Sequence, residues 1–425
     1  MVEGRVVQIG LLGFGTIGSS VYRLIQKERD QILEGTGVDL RVKKVLEIAP
    51  SRIPTDAPTG LFTTDFAEIV DDPSIDVVVE VIGGTDAAFD FIDVALRSGK
   101  NVVTANKQLL ASRGEALFTL AKDERRHLRF EAAVAGAIPI IKVMRESMIA
   151  AGLHTVYGIV NGTTNYILTR MHQEEGDYAE ILLEAQELGY AEADPTADVG
   201  GADAAAKMAI LASIAFHSRV TLSNVVYAGI ESITLDVVRH AKELGFVVKL
   251  VGAARLIEGK VSVRVFPALL PTNHPLASIS GSNNAVFLEG TDIGEIMLMG
   301  PGAGGVPTAT AVVSDIVSVA NTKDVGFLQS CSCYRRLGFY AAEEVESAFF
   351  IKVSVADEAG VLAQIASIFG AQGVSIANMI QEGRGDEAEL VLTTHPTKER
   401  QFFAAIEQTK GLACCRTEPM TLRVL

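Results

Sequence analysis

The sequence is poor in cysteine, and the four cysteines that it has exclude several kinds of protein. All lie late in the chain, Cys331 and Cys333 in one segment and Cys414 and Cys415 in another. This spacing fits neither a zinc site nor a disulfide framework, and a reducing compartment accounts for it. Because no cysteine precedes Cys331, an aldehyde dehydrogenase with a cysteine nucleophile is excluded.

Long apolar runs and an excess of positive charge are also missing. No run approaches the roughly 20 residues of a membrane span, and the N-terminus lacks the features of a signal peptide. The net charge of −15 argues against a nucleic acid or an anionic membrane as partner. The seven histidines show no metal-ligand spacing, so a transition-metal site is not expected. We therefore expect a cytoplasmic globular protein without a nucleic-acid or membrane partner.

The hydrophobic pattern predicts an α/β protein of several domains. Residues 1–137 alternate between β-branched apolar runs such as RVVQIGLL and helical segments such as TIGSSVYRLIQKERDQIL, which predicts a parallel sheet covered by helices. Residues 138–305 mix helices with longer strands, as expected of an α+β domain. Residues 306–340 would hold a helix that returns to the first domain and a linker. The order β-α-β-β-α-β in residues 347–425 predicts a ferredoxin-like module.

The segment GFGTIG matches the G-x-G-x-x-G pattern between a predicted strand and a predicted helix. Gly13 would permit the tight turn, Gly15 the approach of a pyrophosphate, and Gly18 close helix packing. An ordinary glycine-rich turn is the alternative, but the strand–helix alternation favours a Rossmann dinucleotide site. An acidic residue after the second strand favours NAD and a basic one NADP; Glu47 and Arg52 are both present, so both cofactors remain open.

Two further segments offer polar side chains near predicted element ends. TANK, from Thr104 to Lys107, ends the fourth predicted strand of the sheet, where ligands bind in such folds. Lys107 could reach a substrate carboxylate or carbonyl there, and a solvated surface lysine is the alternative. In NGTTNYIL, Thr163 or Thr164 is expected to be a helix N-cap.

The most informative segment is GYAEADPTADVGGADAAAK, in which Asp203 and Lys207 lie four positions apart. On a helix they share one face. A surface ion pair is the simplest explanation. The helix is apolar nearly all round, however, which indicates that it is buried, and buried charges need partners or a ligand. Burial can lower the pKa of such a lysine toward neutrality, which suits an acid/base residue. Glu192 and Asp203 could hold the ammonium group of a substrate.

These motifs, with FEAAVAGAIPII and GPGAGGVPTATAVVSD, resemble homoserine dehydrogenases of the monofunctional type with a C-terminal ACT domain, over nearly the whole chain. The resemblance implies the reversible, NAD(P)H-dependent reduction of L-aspartate 4-semialdehyde to L-homoserine, in threonine, methionine and isoleucine biosynthesis. It also implies that residues 138–305 form a catalytic and dimerisation domain of a homodimer or homotetramer. Threonine would be the feedback inhibitor through the ACT domain, and an ACT domain that serves only assembly is the alternative.

The resemblance implies residue roles as well. Lys207 would be the acid/base residue with Asp203 beside it, Glu192 and Asp203 would bind the substrate, and Lys107 would lie between substrate and nicotinamide. Many family members have arginine after the second strand, and VLEIAPSR departs from that pattern. The dinucleotide would contact Gly13, Phe14, Gly15, Thr16, Ile17, Gly18, Arg52, Thr104, Lys107, Gly189 and Gly302. A monovalent cation, usually sodium, would be bound, largely through backbone carbonyls, by Glu131, Val134, Gly136 and Ile138.

Two other functions compete with this interpretation. A dehydrogenase of another small amino alcohol would keep the lysine chemistry and change the pocket. A non-catalytic sensor of NAD and an amino acid would belong to a different class. The combination of Glu192, Asp203 and Lys207 argues against a sensor, because a sensor needs no acid/base lysine.

Overall fold

The structure, a computed structural model, describes residues 4–322, 333–384 and 386–425, so Cys331 lies outside the described residues. The chain forms two compact units. The first unit consists of Met1–Gly162, Asp203–Val225 and Ser282–Leu337, and the second of Thr163–Ala202, Val226–Gly281 and Gly338–Leu425. The domain limits given above remain a prediction.

A six-stranded parallel sheet lies in the first unit, with the strand order β3-β2-β1-β4-β5-β6. This is the order of the doubly wound dinucleotide-binding fold, so the predicted Rossmann sheet is confirmed. The central strands are apolar runs because helices cover both faces of a parallel sheet. The strands are β1 (Arg5–Leu12), β2 (Val38–Leu46), β3 (Phe62–Thr63), β4 (Val77–Glu80), β5 (Asn101–Thr104) and β6 (Leu128–Arg129). The helices between them are α1 (Thr16–Thr36), α2 (Ala67–Val70), α3 (Asp86–Arg97) and α4 (Lys107–Asp123).

The helix predicted from GVPTATAVVSDIVSVAN is observed as α11 (Gly305–Asn321) and packs against α1. Its buried residues Ala309, Val312 and Ile316 recur at helical spacing and join the core that contains Val21 of α1. Helix α11 therefore helps to cover a sheet whose first strand begins at Arg5, far earlier in the chain.

The remaining elements of the first unit include a buried helix, α9. Every residue of α9 from Asp203 to Ala215 is buried, as its alanine-rich sequence predicts. Strands β7, β11 and β12 pair in antiparallel fashion in the order β12-β11-β7. The elements are α5 (Ile140–Lys142), a π-helical turn (Val143–Ser147), β7 (Leu153–Ile159), α9 (Ala202–Ala215), β11 (Asn283–Gly290) and β12 (Gly294–Pro301).

The second unit begins with α6 and contains a long hairpin. The segment KLVGAARLIEGKVSVRVFPALL lies in β9 and β10, which turn back at Glu258 and Gly259, both with positive φ. Two such residues make the turn that matches the twist of paired strands. The elements are α6 (Gly162–Glu174), α7 (Tyr178–Glu187), α8 (Thr196–Val199), β8 (Val226–Tyr227), α10 (Leu235–Glu243), β9 (Phe246–Ile257) and β10 (Lys260–Pro271).

The tail of the second unit has the predicted β-α-β-β-α-β order, and its main strands pair as β17-β13-β15-β14. This confirms the ferredoxin-like module. Its core includes Phe349 and Phe402, whose rings stack with centroids 3.6 Å apart. Arg423 binds the buried Glu399 through Nε at 2.7 Å, and Arg264 of β10 binds the same carboxylate. The elements are β13 (Glu346–Ala356), α12 (Val361–Ala371), β14 (Ile376–Arg384), β15 (Glu387–Thr394), β16 (Thr397–Lys398), α13 (Glu399–Lys410) and β17 (Met420–Val424).

Within the described ranges, no helix is both long enough and apolar enough to span a bilayer.

Two buried carboxyl groups lie together in the first unit. Asp315 of α11 accepts a hydrogen bond from the backbone N–H of Glu131 (2.8 Å), and the Glu131 carboxyl accepts from Ile141 and Lys142. Burial raises the pKa of Glu131 to about 7 and that of Asp315 to about 6. Asp315 adds to the effect on Glu131, because two nearby negative charges repel each other.

These raised pKa values predict how Asp315→Asn changes stability with pH. Protonation stabilises the folded state here, so the stability that the pair contributes is full below pH 4 and is lost as the pH rises through about 6 to 7. Asparagine stays neutral and can still accept from the Glu131 N–H. We expect the variant to match the parent at pH 4 and to exceed it at pH 8, by about 1–3 kcal/mol.

Urea unfolding followed by circular dichroism at pH 4, 6 and 8 measures this difference. Asp86→Asn, at a side chain that is 93% exposed, is the matched control and should leave the pH dependence unchanged. An Asp315→Asn variant that is less stable than the parent at pH 8 would contradict the prediction. Charged Asp315 would then be a net stabilising partner of the nearby Arg129, Lys142 and Arg145.

Candidate active site

An ion pair at the start of α9 forms the centre of the site. Asp203 and Lys207 lie one helical turn apart, and each residue is only 8% exposed. The Nζ atom of Lys207 is 2.7 Å from Oδ2 of Asp203, and it also donates to the backbone carbonyl of Val160 at 2.7 Å. The lysine is thus fixed between a carboxylate and a carbonyl that lies 47 positions earlier in the chain.

A second lysine reaches the same carboxylate from the parallel sheet. Lys107 is the first residue of α4, directly after β5, and the Asn106 side chain caps this helix by accepting from the Leu109 N–H. The Nζ atom of Lys107 lies 2.9 Å from Oδ1 of Asp203. Asn161 donates its Nδ2 to Oδ2 of Asp203 at 2.9 Å. The structure therefore brings together three of the predicted site residues, Lys107, Asp203 and Lys207.

The two lysines of this cluster favour the ionised form of Asp203. Burial alone would raise the pKa of Asp203, but the ammonium groups of Lys207 and Lys107 hold that pKa well below its ordinary value. One carboxylate faces two ammonium groups, so the cluster carries a net positive charge. The Lys107 side chain is 37% exposed, whereas the Lys207 side chain is 9% exposed. Such a cluster can polarise a carbonyl oxygen and donate a proton to it.

The glycine-rich loop after β1 has the backbone that its pattern predicts. Gly13 has a φ of 97°, which favours glycine, and a side chain there would approach Ile82 to 2.9 Å. A Cβ at Gly18 would lie 2.0 Å from the Gly13 carbonyl oxygen, so the helix packs directly on the loop. Gly15, in contrast, faces open space. The loop thus leaves room over the N-terminus of α1, which starts at Thr16 and continues with Ile17.

Glu47 binds this loop through the backbone of Phe14. The Glu47 side chain is buried and accepts hydrogen bonds from the N–H groups of Phe14 (2.8 Å) and Ala49 (2.9 Å). Burial alone would raise the pKa of Glu47, but these bonds and Arg52 keep it below its ordinary value. The Arg52 guanidinium lies 3.7 Å from Glu47, and its side chain is 59% exposed. The Phe14 ring packs edge-on against Phe62 in the core.

Glu80 is a residue of the site region that the sequence analysis missed. It ends β4 fully buried and accepts hydrogen bonds from Thr104 Oγ1 (2.5 Å) and from the Ile82 N–H (2.9 Å). Burial raises its pKa. Thr104 in turn accepts from the Asn106 N–H at 3.0 Å, so the two side chains fix the chain that leads to Lys107. A single acidic residue in the apolar run VVVEVI was the available signal.

The loop predicted to bind a cation has an unusual backbone. Ala135 and Gly136 both have a φ of 57°, and a side chain at Gly136 would come within 2.6 Å of Gly302. Val134 and Ile138 are buried. The Glu131 carboxyl is engaged by the N–H groups at the start of α5, so a cation at this loop would contact backbone oxygens.

Gly302 has a packing reason to be glycine. A Cβ there would lie 2.0 Å from the side chain of Asn284, which is completely buried. Within the described residues, neither the nitrogen nor the oxygen of the Asn284 amide has a hydrogen-bond partner. Close approach of this backbone therefore explains the residue type without a ligand.

Four other predicted residues lie in the second unit. Gly189 follows α7 with a φ of 76°, and the exposed Glu192 accepts a hydrogen bond at its backbone carbonyl from Gln186. The expected N-cap at Thr163 or Thr164 is wrong, because α6 already begins at Gly162. The Thr163 hydroxyl instead donates to the carbonyl of Tyr190 at 2.6 Å.

Comparisons with known families and proteins agree with this geometry. The family model "Homoserine dehydrogenase, NAD binding domain" matches residues 13–131, the model "Homoserine dehydrogenase" residues 139–317, and the ACT domain model residues 349–414. A homoserine dehydrogenase of Bacillus subtilis is 40% identical over 99% of this chain and 98% of its own length.

Solved structures show the same relationship. A homoserine dehydrogenase from Thiobacillus denitrificans has a TM-score of 0.94 at 36% identity and covers 100% of this chain and 99% of its own. A hyperthermophilic archaeal homoserine dehydrogenase in complex with NADPH has a TM-score of 0.64 at 27% identity and covers 76% of this chain and 100% of its own. The predicted resemblance is thereby confirmed: the chain belongs to the homoserine dehydrogenase family of oxidoreductases acting on a CH–OH group, with an NAD-binding domain and a C-terminal ACT domain.

Proposed function

We propose that this chain catalyses the reversible reduction of L-aspartate 4-semialdehyde to L-homoserine with NAD(P)H. Family membership supports the reaction. The observation that carries the proposal is the Asp203 carboxylate between two ammonium groups, at 2.7 Å from Lys207 and 2.9 Å from Lys107. This arrangement stabilises an oxygen that gains negative charge beside the lysines and offers it a proton.

Lys207 is the acid/base residue in this mechanism. When bound, reduced nicotinamide would supply the hydride that the aldehyde carbon gains. As the carbonyl oxygen gains charge, the Lys207 ammonium donates a proton to it, and the hydroxyl of homoserine results. Asp203 favours the ammonium form of Lys207 and, together with the Val160 carbonyl, fixes its direction. Neutral Lys207 takes the hydroxyl proton when the reaction runs backwards.

Other residues of the chain bind and orient the reactants. Lys107, with its partly exposed side chain beside Asp203, would lie between substrate and nicotinamide and assist in polarising the carbonyl. Glu192 is exposed and can accept the ammonium group of the substrate. The open space at Gly15 and the N–H groups of Thr16 and Ile17 at the start of α1 would receive the pyrophosphate. Phe14, Thr104, Gly189 and Gly302 would complete the cofactor contacts.

Substitution of Lys207 tests the mechanism. We expect Lys207→Met to lower kcat by roughly 10²–10⁴-fold, because a proton donor is lost from the transition state. Binding of dinucleotide, followed by nicotinamide fluorescence, should change little. Homoserine-dependent formation of reduced nicotinamide at 340 nm gives the rate.

Lys122→Met is the matched control, since Lys122 is exposed on α4. This variant should keep the rate of the parent. A parent that binds dinucleotide but reduces none with homoserine would favour the amino-acid sensor or another amino alcohol. Full activity of Lys207→Met would remove the lysine from the mechanism.

We propose that both NADP and NAD are used and that Arg52 supports NADP. Its exposed guanidinium can meet a 2′-phosphate and offset the nearby Glu47 charge. Arg52→Ala should therefore lower kcat/KM for NADP by roughly tenfold and leave the value for NAD nearly unchanged. Parallel assays with both cofactors measure the ratio, and Arg23→Ala, at an exposed position of α1, is the control. An equal loss with both cofactors would assign Arg52 to the loop rather than to the phosphate.

We propose threonine as an effector of the ACT domain. The loop Asp357–Gly360 between β13 and α12 is exposed, and open space surrounds Gly360. Threonine should then lower turnover and raise the unfolding temperature, and Asp357→Ala should weaken both effects without changing the basal rate. D-threonine is the control ligand. A threonine titration that changes neither turnover nor unfolding temperature would favour a role of the module in assembly alone.

We propose a sodium ion at the loop of Glu131, Val134, Gly136 and Ile138. The loop contains two successive left-handed residues, 135 and 136, and backbone carbonyl oxygens are ligands that such a cation prefers. Exchange of sodium for a bulky organic cation should lower the unfolding temperature if the site is used.

We also propose a homodimer or homotetramer. Met299 on the edge strand β12 is 58% exposed, as expected of a surface that a second copy covers. Sedimentation would distinguish these assemblies from a monomer.

A further inference from the structure

A second buried lysine, in the second unit, has no role in this mechanism. Lys249 lies on β9 and is only 2% exposed. Its Nζ atom donates to the Ile279 carbonyl (2.5 Å), to Oδ1 of Asn165 (2.9 Å) and, at 3.4 Å, to Thr169 Oγ1. In the described part of the chain, no carboxylate forms an ion pair with it. Burial lowers the pKa of Lys249 to about 8.

This position is costly for a charged group. A buried ammonium that faces only neutral oxygens loses its hydration without gaining an opposite charge. Strand β9 is otherwise apolar around it, with Val247, Val248, Leu250 and Val251 buried. An apolar side chain of the same length would fit the pattern, so the three hydrogen bonds of Lys249 need a reason other than stability.

The three acceptors belong to the first two turns of α6 and to one loop. Asn165 is held on its other side, because its Nδ2 donates to the carbonyls of Gly281 (2.9 Å) and Ile279 (3.3 Å). Lys249 thus orients the Asn165 amide and fixes the first turn of α6 against residues 279–281. These hydrogen bonds link Lys249, Asn165 and the 279–281 loop. We call this set of residues the α6 clamp.

The start of α6 is also where the site residue Asn161 lies along the chain. Asn161 directly precedes the helix, four positions before Asn165, and it donates to Asp203. A change in the direction of the first turn of α6 therefore moves the donor that fixes the carboxylate beside Lys207.

We propose that Lys249 is a positioning residue of the reaction, which orients Asn165 and the start of α6 so that Asn161 holds Asp203 in line with Lys207. This inference rests on the proposed function. In this role the buried lysine orients the catalytic pair and takes no part in proton transfer.

A double-mutant cycle tests the link. Lys249→Met should lower kcat for homoserine by roughly 10- to 100-fold, the range for loss of a group that orients a functional residue. Asn161→Ala should lower kcat to a similar extent. The double variant should be no slower than the slower single variant, because both act through the same hydrogen bond to Asp203. Dinucleotide binding should stay as in the parent.

A control variant and a second clamp variant distinguish loss of the clamp from a general effect of substitution or a failure to fold. Lys260→Met, at an exposed position of β10 beside the hairpin turn, should retain the parental kcat. Asn165→Ala breaks the same clamp while Lys249 stays, and it replaces Lys249→Met if that variant does not fold. It should lower kcat, with no further loss when combined with Asn161→Ala. Independent, multiplying losses in the cycle would overturn the proposal, as would a lower unfolding temperature with unchanged kcat.

Hydrogen–deuterium exchange separates this inference from the proposed function. Both clamp variants should raise the exchange of the amides at residues 161–166 over the parent, whether or not homoserine is the substrate. A parent without homoserine turnover would contradict the proposed function alone. Unchanged exchange at these amides would contradict the clamp alone.

Discussion

The buried carboxylate of Asp203 is the constraint around which the site is arranged. A charge in so enclosed a position requires compensation, and two lysines and one amide provide it. The partners come from three separate segments, the start of α4, the body of α9 and the residues before α6. Each segment must therefore be in place before the buried carboxylate is compensated, so the requirement that keeps Asp203 ionised also assembles the groups that could act on a carbonyl.

The parallel sheet explains why Lys107 can take part. Residues after the carboxyl ends of parallel strands share one edge of the sheet, and α4 starts directly after β5. The buried contact between Thr104 and Glu80 of the adjacent strand β4 fixes that point, and the glycine-rich loop after β1, the next strand, leaves room at the same edge. Helix α11 packs on α1, although it lies almost 300 positions later. A dinucleotide cradle and an ammonium group thus meet through the topology of one sheet.

Local patterns predicted the parallel sheet, the ferredoxin-like tail, α11 and the shared face of Asp203 and Lys207, because each depends on periodicity or on spacing within one element. The partners of that pair could not be read in this way. Val160 and Asn161 lie more than 40 positions from the residues that they contact, and Glu47 folds back on a loop 33 positions earlier. The threonines after Asn161 were misassigned as caps for the same reason. A small hydroxyl near a helix start has a local explanation until a distant carbonyl, here that of Tyr190, is known to accept from it.

The two buried lysines show how similar burial can serve different ends. Lys207 has a carboxylate at 2.7 Å, which offsets the cost of its charge and favours the proton that a carbonyl oxygen would take. Among the described residues, the hydrogen-bond acceptors of Lys249 are all neutral oxygens, and burial lowers its pKa to about 8. They are a backbone carbonyl, an amide oxygen and a hydroxyl that belong to the packing of α6, so they suit a lysine that orients this helix. The nature of the partner, rather than the depth of burial, therefore distinguishes a lysine suited to chemistry from one suited to holding a helix in place.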